Sequence, residues 1–378
     1  MRYFIIAGEA SGDLHGSGLI KGLINVDSDA DIYCWGGDKM EKAGARLLVH
    51  YRELAVMGFW EVILKLGKIF KNLRKCKQQI IEIKPDLVIL IDYPGFNLRI
   101  AKYLKSKNIN TYYYIAPKVW AWKKSRIKKI KQYINRMYVI FPFEADFFAE
   151  HGYRVHYFGN PLVDTVQKGM EGSYGRDKLL AEYGLEDKPI ISLLAGSRLQ
   201  EIKKVLPIMA KVEKYYPDYQ LVVAGVSTVE RSVYENILKN SNIRIIYDDT
   251  YSLLLNSDAE LVTSGTATLE TAIAGIPQVV CYRTSCLSYI IARLFVDIRF
   301  ISLVNLIMDK EIVRELIQHK LNEKNLVSEL NIILPGGWKR VIMLDNYSVL
   351  RKKLSGSGAA SRIAQDMYHS LKLVDNVN

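Results

Sequence analysis

Residues 2–16 read RYFIIAGEASGDLHG, and the fold follows from that run. Tyr3 to Ala7 is a short apolar stretch closed by Gly8, too short for a core helix and rich in strand-favouring residues. It leads without a linker into a turn of small residues and then a helical pattern. A buried strand that passes straight into a helix is the first half of a parallel α/β unit. Small side chains let a ligand approach the backbone of such a turn, and the helix N-terminus favours an anion. The turn is not the GxGxxG of a dinucleotide site. By itself it suits a tight packing turn as well as a ligand site.

The same alternation continues outward from this unit. Strands are expected at 2–7, 31–35, 87–91, 111–115, 136–140 and 156–158, then in a second series at 189–194, 219–224, 243–247, 259–262 and 278–282, with amphipathic helices between them. Gly159-Asn160-Pro161 and a polar stretch from Gln167 to Lys188 separate the two series and mark the domain boundary. The expected fold class is α/β: two doubly wound, Rossmann-like domains facing a central cleft, with ligands at the carboxyl ends of the strands. The polar helical tail after Asp345 is expected to pack back across the domains or onto a partner subunit.

Hydrophobic residues make up 49% of the 378, enough for large cores, and the formal net charge is +12. That charge points to an anionic partner, whether nucleic acid, membrane surface or phosphorylated substrate. Cys34, Cys76, Cys281 and Cys286 form no CxxC and no metal spacing with the histidines, and read as buried thiols in a reducing compartment. The first residues read as a strand rather than a signal peptide, and no apolar run reaches the roughly 20 residues of a spanning helix. The expected location is the cytoplasm or the cytoplasmic face of a membrane.

Several residues carry chemistry. The run 87–91 delivers Asp92-Tyr93-Pro94-Gly95-Phe96-Asn97. A strand-end aspartate faces the cleft, where it can remove a proton from an attacking hydroxyl; the other reading is an N-cap for the next helix. In the second half, Ala195-Gly196-Ser197-Arg198 joins a strand to a helix and suits a phosphate group, the arginine supplying a charged fork. Thr263-Ser264-Gly265-Thr266-Ala267-Thr268-Leu269-Glu270 does the same after a later strand. The two turns together suit a nucleotide diphosphate, with Glu270 placed to accept hydrogen bonds from ribose hydroxyls. Asp27-Ser28-Asp29-Ala30-Asp31 has the look of a metal-binding DxD, but it precedes its strand and so lies opposite the cleft.

Two segments speak to a membrane. From Val56 to Phe70 the apolar arc, including Phe59, Trp60, Ile63 and Leu66, is wider than one packing face requires; Lys65 and Lys68 lie on a narrow polar stripe, and basic residues follow. A lipid-facing helix and a helix buried on two sides both fit. Trp120 and Trp122 stand beside Lys118, Lys123 and Lys124, which suits a headgroup layer or nucleic acid. No nucleic-acid-binding signature is present, so no nucleic-acid partner is expected.

Taken together, AGEASGDLHG (7–16), AVMGFWEV (55–62), the Asp92 turn, Pro117 to Trp122, Phe141-Pro142-Phe143-Glu144, Gly196-Ser197-Arg198, SGTATLE (264–270), Ile301 to Leu306 and Glu311 to Leu316 resemble the lipid-A-disaccharide synthase family, in order from residue 1 to about 320. The resemblance implies a GT-B fold and an inverting transfer from UDP-2,3-diacylglucosamine to 2,3-diacylglucosamine 1-phosphate, forming a β-1,6 bond. It implies a first domain, 1–165, for acceptor binding and membrane docking, and a second, 166–345, for the UDP-sugar, followed by the tail at 346–378. Asp92 is then the base, with Glu9 orienting it or the sugar and Ser11 and Asn97 on the acceptor side. Ser197, Arg198, Thr266, Ala267, Thr268, Glu270 and Asn305 are expected to hold UDP. No cofactor and no metal are expected. The expected partners are the two acylated sugars and the anionic inner face of the inner membrane, and a homodimer is allowed.

Four positions depart from the family pattern. Ala195 and Val304 replace prolines, Asn160 replaces a histidine, and Gly95 replaces a second aspartate, which leaves Asp92 as the one carboxylate of its turn. The rival readings are another GT-B enzyme on a UDP-N-acetylglucosamine-type donor, either an epimerase or a transferase acting on a lipid-linked peptidoglycan precursor, and a non-catalytic basic protein.

Overall fold

The computed structural model describes residues 1–54, 66–120, 125–285, 289 and 298–375. The chain divides into two compact units, Met1–Pro161 with Ser355–Asn378, and Leu162–Leu354.

The first unit is built on β1 (Arg2–Ala7), β2 (Asp31–Gly36), β3 (Arg46–His50), β4 (Leu87–Ile91), β5 (Thr111–Tyr114), β6 (Arg136–Val139) and β7 (His156–Tyr157). These form one parallel sheet in the order β3-β2-β1-β4-β5-β6-β7. β4 is buried along its whole length and β1 from Tyr3 onward. Strands covered by helices on both faces carry unbroken apolar runs, which is why these two were legible. Strand order reverses between β1 and β4, where Ala7 pairs with Ile91.

The second unit holds β8 (Ile190–Leu194), β9 (Gln220–Gly225), β10 (Arg244–Tyr247), β11 (Ala259–Thr263), β12 (Gln278–Tyr282) and β13 (Arg314–Ile317), in the parallel order β10-β9-β8-β11-β12-β13. Here the order reverses between β8 and β11, with Leu194 opposite Val262. Each unit is therefore doubly wound, and each has one switch point where its strand ends splay apart to leave a crevice.

β3 and β13 were not expected. Both are edge strands, and β13 (Arg314-Glu315-Leu316-Ile317) has one buried residue, so neither shows the apolar run of a covered strand. The segment after Asp345 is not one tail. The helix Trp338–Lys353 belongs to the second unit, buried through Met343, Tyr347 and Leu350, whereas the helix Ala359–Asp375 belongs to the first. That last helix lies along the helix Ala10–Val26 through small residues. A Cβ on Gly22 would come within 2.8 Å of the Ala364 methyl, so a larger residue would push the helices apart. Asp366 accepts from Arg136 Nε at 3.0 Å, from Arg136 Nη2 and from the Tyr138 hydroxyl at 2.7 Å, which fastens the helix to β6.

The DxD-like run has a structural use. Asp27 is buried and accepts from the N-terminal amine and the Tyr3 hydroxyl, both at 2.9 Å, while Asp31 pairs with Arg2 at 3.2 Å and Arg46 at 3.4 Å. Of the expected docking residues, Phe59, Trp60, Ile63, Lys65 and Trp122 lie outside the described residues, as does the side chain of Leu66. Lys68 is exposed at the start of the helix Leu66–Ile83.

Candidate functional site

At the first switch point the chain leaves β1 at Gly8-Glu9 and leaves β4 at Asp92-Tyr93. Glu9 is exposed and stands at the N-cap of the helix Ala10–Val26 without capping it by its side chain; Ser11, in the first turn, is also exposed. Asp92 does not cap either. The N-cap of the helix Pro94–Ser106 is Tyr93, again with no side-chain cap. The carboxyl group of Asp92 is thus not spent on ending a helix.

The turn holds Asp92 under strain. Asp92 and Tyr93 have φ of +43° and +45°, the left-handed region that costs non-glycine residues about 1–3 kcal/mol each. The surroundings over-determine it. The Asp92 N–H donates to Tyr114 O at 3.1 Å, and the Asp92 carbonyl accepts from Asn97 Nδ2 at 2.8 Å and from the Tyr113 hydroxyl. The Tyr93 ring lies over Gly8, where a Cβ would meet it at 2.4 Å, so glycine is required there. Asn97 is fully buried and also donates to Ile91 O at 3.1 Å. Expected on the acceptor side, it is placed as the latch of the turn, its Nδ2 donors committed to the backbone.

Burial pushes the Asp92 carboxyl up, the nearby Glu9 charge pushes it further, and Lys118, the Tyr93 N–H and Arg126 pull it partly back, to about 6. Such a carboxylate is ionised at neutral pH yet more basic than an ordinary aspartate, which suits proton abstraction.

The polar residues around it divide by role. Asp13 is buried and accepts from the backbone N–H groups of Gly37 at 2.8 Å, Met40 at 3.0 Å and Lys39 at 3.2 Å, so it ties the first helix to the turn after β2. Glu144 is buried and accepts from the Trp120 indole N–H at 3.1 Å and the N–H groups of Phe141 and Ile140 at 3.0 and 3.2 Å. Burial pushes its carboxyl up to about 7. Trp120, expected at a headgroup layer, is half-buried, packs edge-on against Phe143 at 5.1 Å, and turns its polar atom inward. A tryptophan beside lysines looks amphipathic in sequence whichever way its indole N–H points.

At the second switch point a cavity of about 430 Å³ is lined by Ser197, Arg198, Tyr251, Thr266, Ala267 and Glu270, among others. After β8 the chain turns at Gly196, with φ +107°, where a Cβ would fall 2.6 Å from a Glu201 carboxylate oxygen. Arg198 follows as N-cap of the helix Leu199–Met209; its side chain is 80% exposed and pairs with Glu201 at 3.5 Å. After β11, Gly265 is the N-cap of the helix Thr266–Ala274. The first-turn amides of Thr266, Ala267 and Thr268 have no intrahelical acceptor and point out of the helix end. The Thr268 side chain is itself buried and donates to Gly265 O at 2.8 Å, so only its amide is offered. Two helix N-termini, a serine and an arginine line the cavity, an arrangement whose chemistry suits an anion.

Glu270 accepts from the Tyr251 hydroxyl at 2.9 Å. Burial raises its carboxyl, and the bonds from Tyr251 and Thr266 hold it back. Tyr251 was not anticipated; a tyrosine in the short helix Thr250–Leu255 carries no sequence mark of a site, and Gly169, whose Cβ would strike its ring at 2.3 Å, reads as an ordinary helical glycine. Below the cavity, Glu260 is buried in β11 and accepts from Ser192 at 2.9 Å and Thr271 at 2.6 Å; burial pushes its carboxyl up to about 8.

Asn305, expected to contact the nucleotide, is completely buried. Its amide donates to Val313 O at 2.8 Å and Glu315 at 2.9 Å, and its carbonyl accepts from Ile312 N at 2.8 Å and Val313 N at 3.0 Å. It ties the helix Leu303–Met308 to the start of β13. Among the described residues no group of three or more His, Cys, Asp or Glu side chains is arranged to hold a metal ion.

The comparisons with known proteins agree with one another. The family model described as lipid-A-disaccharide synthetase matches residues 3–362. A lipid-A-disaccharide synthase of Syntrophus aciditrophicus is 38% identical over 368 residues, covering 95% of both chains, and one of Myxococcus xanthus is 35% identical over 377, covering 98% of this chain and 97% of that one. Among solved structures, the UDP-GlcNAc 2-epimerase of Neisseria meningitidis bound to UDP-GlcNAc superposes with TM-score 0.67 at 12% identity, covering 98% of this chain and all 100% of that one. The kitacinnamycin glycotransferase superposes with TM-score 0.68 at 14% identity, covering 98% and 99%. These structural likenesses establish the GT-B type of two-domain α/β fold. With matches of this identity over nearly the whole length, the chain belongs to the lipid-A-disaccharide synthase family.

Proposed function

We propose that the chain condenses UDP-2,3-diacylglucosamine with 2,3-diacylglucosamine 1-phosphate, releasing UDP and forming the β-1,6-linked disaccharide 1-phosphate with inversion at the anomeric carbon. The observation that carries this reading is the pair of switch points: a strained, elevated carboxylate at one and an anion-binding cavity at the other. Asp92 takes the proton of the attacking acceptor hydroxyl as the new C–O bond forms and the bond from the anomeric carbon to the diphosphate breaks. Glu9 keeps Asp92 basic and orients the acceptor, with Ser11 beside it. The first unit is the acceptor side, the second the donor side.

UDP leaves with growing negative charge. Arg198, Ser197 and the amides of Thr266, Ala267 and Thr268 meet that charge, so they stabilise the transition state more than the bound donor. Glu270, aligned by Tyr251, receives the ribose hydroxyls. No metal is required in this scheme, because the cation and the helix ends supply the positive potential. The acyl chains of both substrates remain in a bilayer, so the chain works from the inner face of the inner membrane. Among the described residues no helix is long and apolar enough to cross a membrane.

The test is direct. Purified chain, incubated with the two acylated sugars in mixed micelles, is expected to yield free UDP and a disaccharide of the summed mass less UDP, unchanged by EDTA. Failure to form that product, or formation strictly dependent on a divalent metal, overturns the reading.

A further inference from the structure

The helices Leu66–Ile83 and Pro94–Ser106 of the first unit enclose a surface cavity of about 750 Å³, away from the Asp92 turn. Arg74 and Lys77 enter it from one helix and Arg99 and Lys102 from the other; Phe70, Leu73 and Tyr103 supply its apolar wall. Arg74, Arg99 and Lys102 are exposed. Lys77 lies 4.9 Å from the centre of the Tyr103 ring, and Arg99 reaches back to the Gly95 carbonyl. Among the described residues none of these four cations is paired with a carboxylate. The first helix carries further lysines at 68, 71 and 75 against a single acid, Glu82, and the second carries no acid at all.

Four unneutralised cations converging on one concavity repel each other unless an anion joins them. A phosphate group bonded by guanidinium forks and lysines is the anion such a seat fits. Phe70 decides its source. It stands at the mouth of the seat with 66% of its surface exposed, an arrangement that costs free energy in water and gains it against acyl chains. We propose that this cavity is a seat for the headgroup phosphate of an anionic glycerophospholipid, with Phe70 entering the acyl boundary. It deepens the membrane-surface part of the reading above and rests on it. It also links docking to chemistry. Arg99 and Lys102 lie on the same helix that the Asp92 turn begins, roughly 7–12 Å along its axis from Pro94 at 1.5 Å per residue. A headgroup held there fixes the height of Asp92 over the bilayer, within reach of a sugar whose acyl chains stay in the membrane.

The test is sedimentation of the full chain with sucrose-loaded vesicles of phosphatidylglycerol and phosphatidylcholine, which needs no turnover. Arg99→Glu with Lys102→Glu is expected to weaken binding roughly 20-fold or more, by the usual contribution of each basic residue near an anionic surface. Lys239→Glu with Lys324→Glu, exposed on the second unit and equal in charge change, is expected to bind like the parent. If the reversed pair does not fold by circular dichroism, Arg74→Gln with Lys77→Gln is read instead, with at least a several-fold loss expected. Parent-like binding by the seat variants overturns the proposal. So does an equal loss in the control pair, which would mean general electrostatics, or full displacement from vesicles by inorganic phosphate at constant ionic strength, which would mean a free-phosphate site. Disaccharide formation in micelles by the seat variants keeps a failure here distinct from a failure of the proposed reaction.

Discussion

The side-chain amide of Asn97 donates to the backbone carbonyl of Asp92 at 2.8 Å and to that of Ile91 at 3.1 Å, from one turn inside the helix that Asp92 precedes. The bond spans the strained pair of left-handed residues and converts a costly backbone into a fixed one. Asn97→Ala removes both donations and leaves the Asp92 carbonyl held by the Tyr113 hydroxyl alone. Stability is expected to fall by about 1–3 kcal/mol. Turnover is expected to fall tenfold to a hundredfold, on the order of what a 1 Å misplacement costs. UDP affinity, set in the other unit, is expected to stay unchanged. Equilibrium unfolding, steady-state kinetics and calorimetry with UDP check the three parts.

Glu9 sets the working range of Asp92. Burial and the Glu9 charge hold Asp92 at about 6, so kcat/KM is expected to fall on the acid side of that value as the base is protonated. Removing the Glu9 charge removes a raising influence. Glu9→Gln is therefore expected to move the acid limb to lower pH by up to about one unit. A pH profile with an unmoved limb would show that the two carboxyl groups do not interact.

Tyr251 aligns Glu270 from outside any recognisable motif. Tyr251→Phe keeps the ring that fills the space over Gly169 and loses only the hydroxyl. Donor KM is expected to rise about fivefold, the equivalent of one ordinary hydrogen bond, with kcat nearly constant. A fall in kcat at constant KM would place Tyr251 in the chemical step instead.

Glu260 makes stability depend on pH. Buried, it is held at about 8, against roughly 4.3 for a free glutamate in an unfolded chain. Between those values the folded state keeps a proton that the unfolded state has released. Stability is therefore greatest below the unfolded value and declines as pH rises toward 8. Glu260→Gln is expected to flatten that decline by on the order of 3 kcal/mol between pH 5 and 8. Urea unfolding at several pH values measures it; an unchanged slope would contradict the buried-acid account.

The strands that place these groups were legible because they are covered on both faces. Tyr3 to Ala7 and Leu87 to Ile91 show unbroken apolar runs, and the residues that leave them fall at a switch point by topology alone. Asp92 and Glu9 were visible for that reason. Edge strands such as β13, half polar, were not. Asn97 and Asn305 were recognised as important, but the backbone bonds that bury them were not foreseen. Nothing in sequence distinguishes an asparagine that meets a ligand from one that satisfies backbone carbonyls six or eight residues away. Glu144 showed itself as part of a motif, but its bond to Trp120 spans 24 residues and is written only in the fold.

The most direct test of the account is Asp92→Asn, which keeps the size of the side chain and removes its charge. Product formation is measured as free UDP and disaccharide by mass, beside calorimetric UDP affinity. The account predicts turnover lower by ~10²–10⁴, the usual loss for a missing general base, with UDP affinity within twofold of the parent. Turnover near that of the parent, at unchanged UDP affinity, would remove Asp92 from the mechanism and with it the central claim.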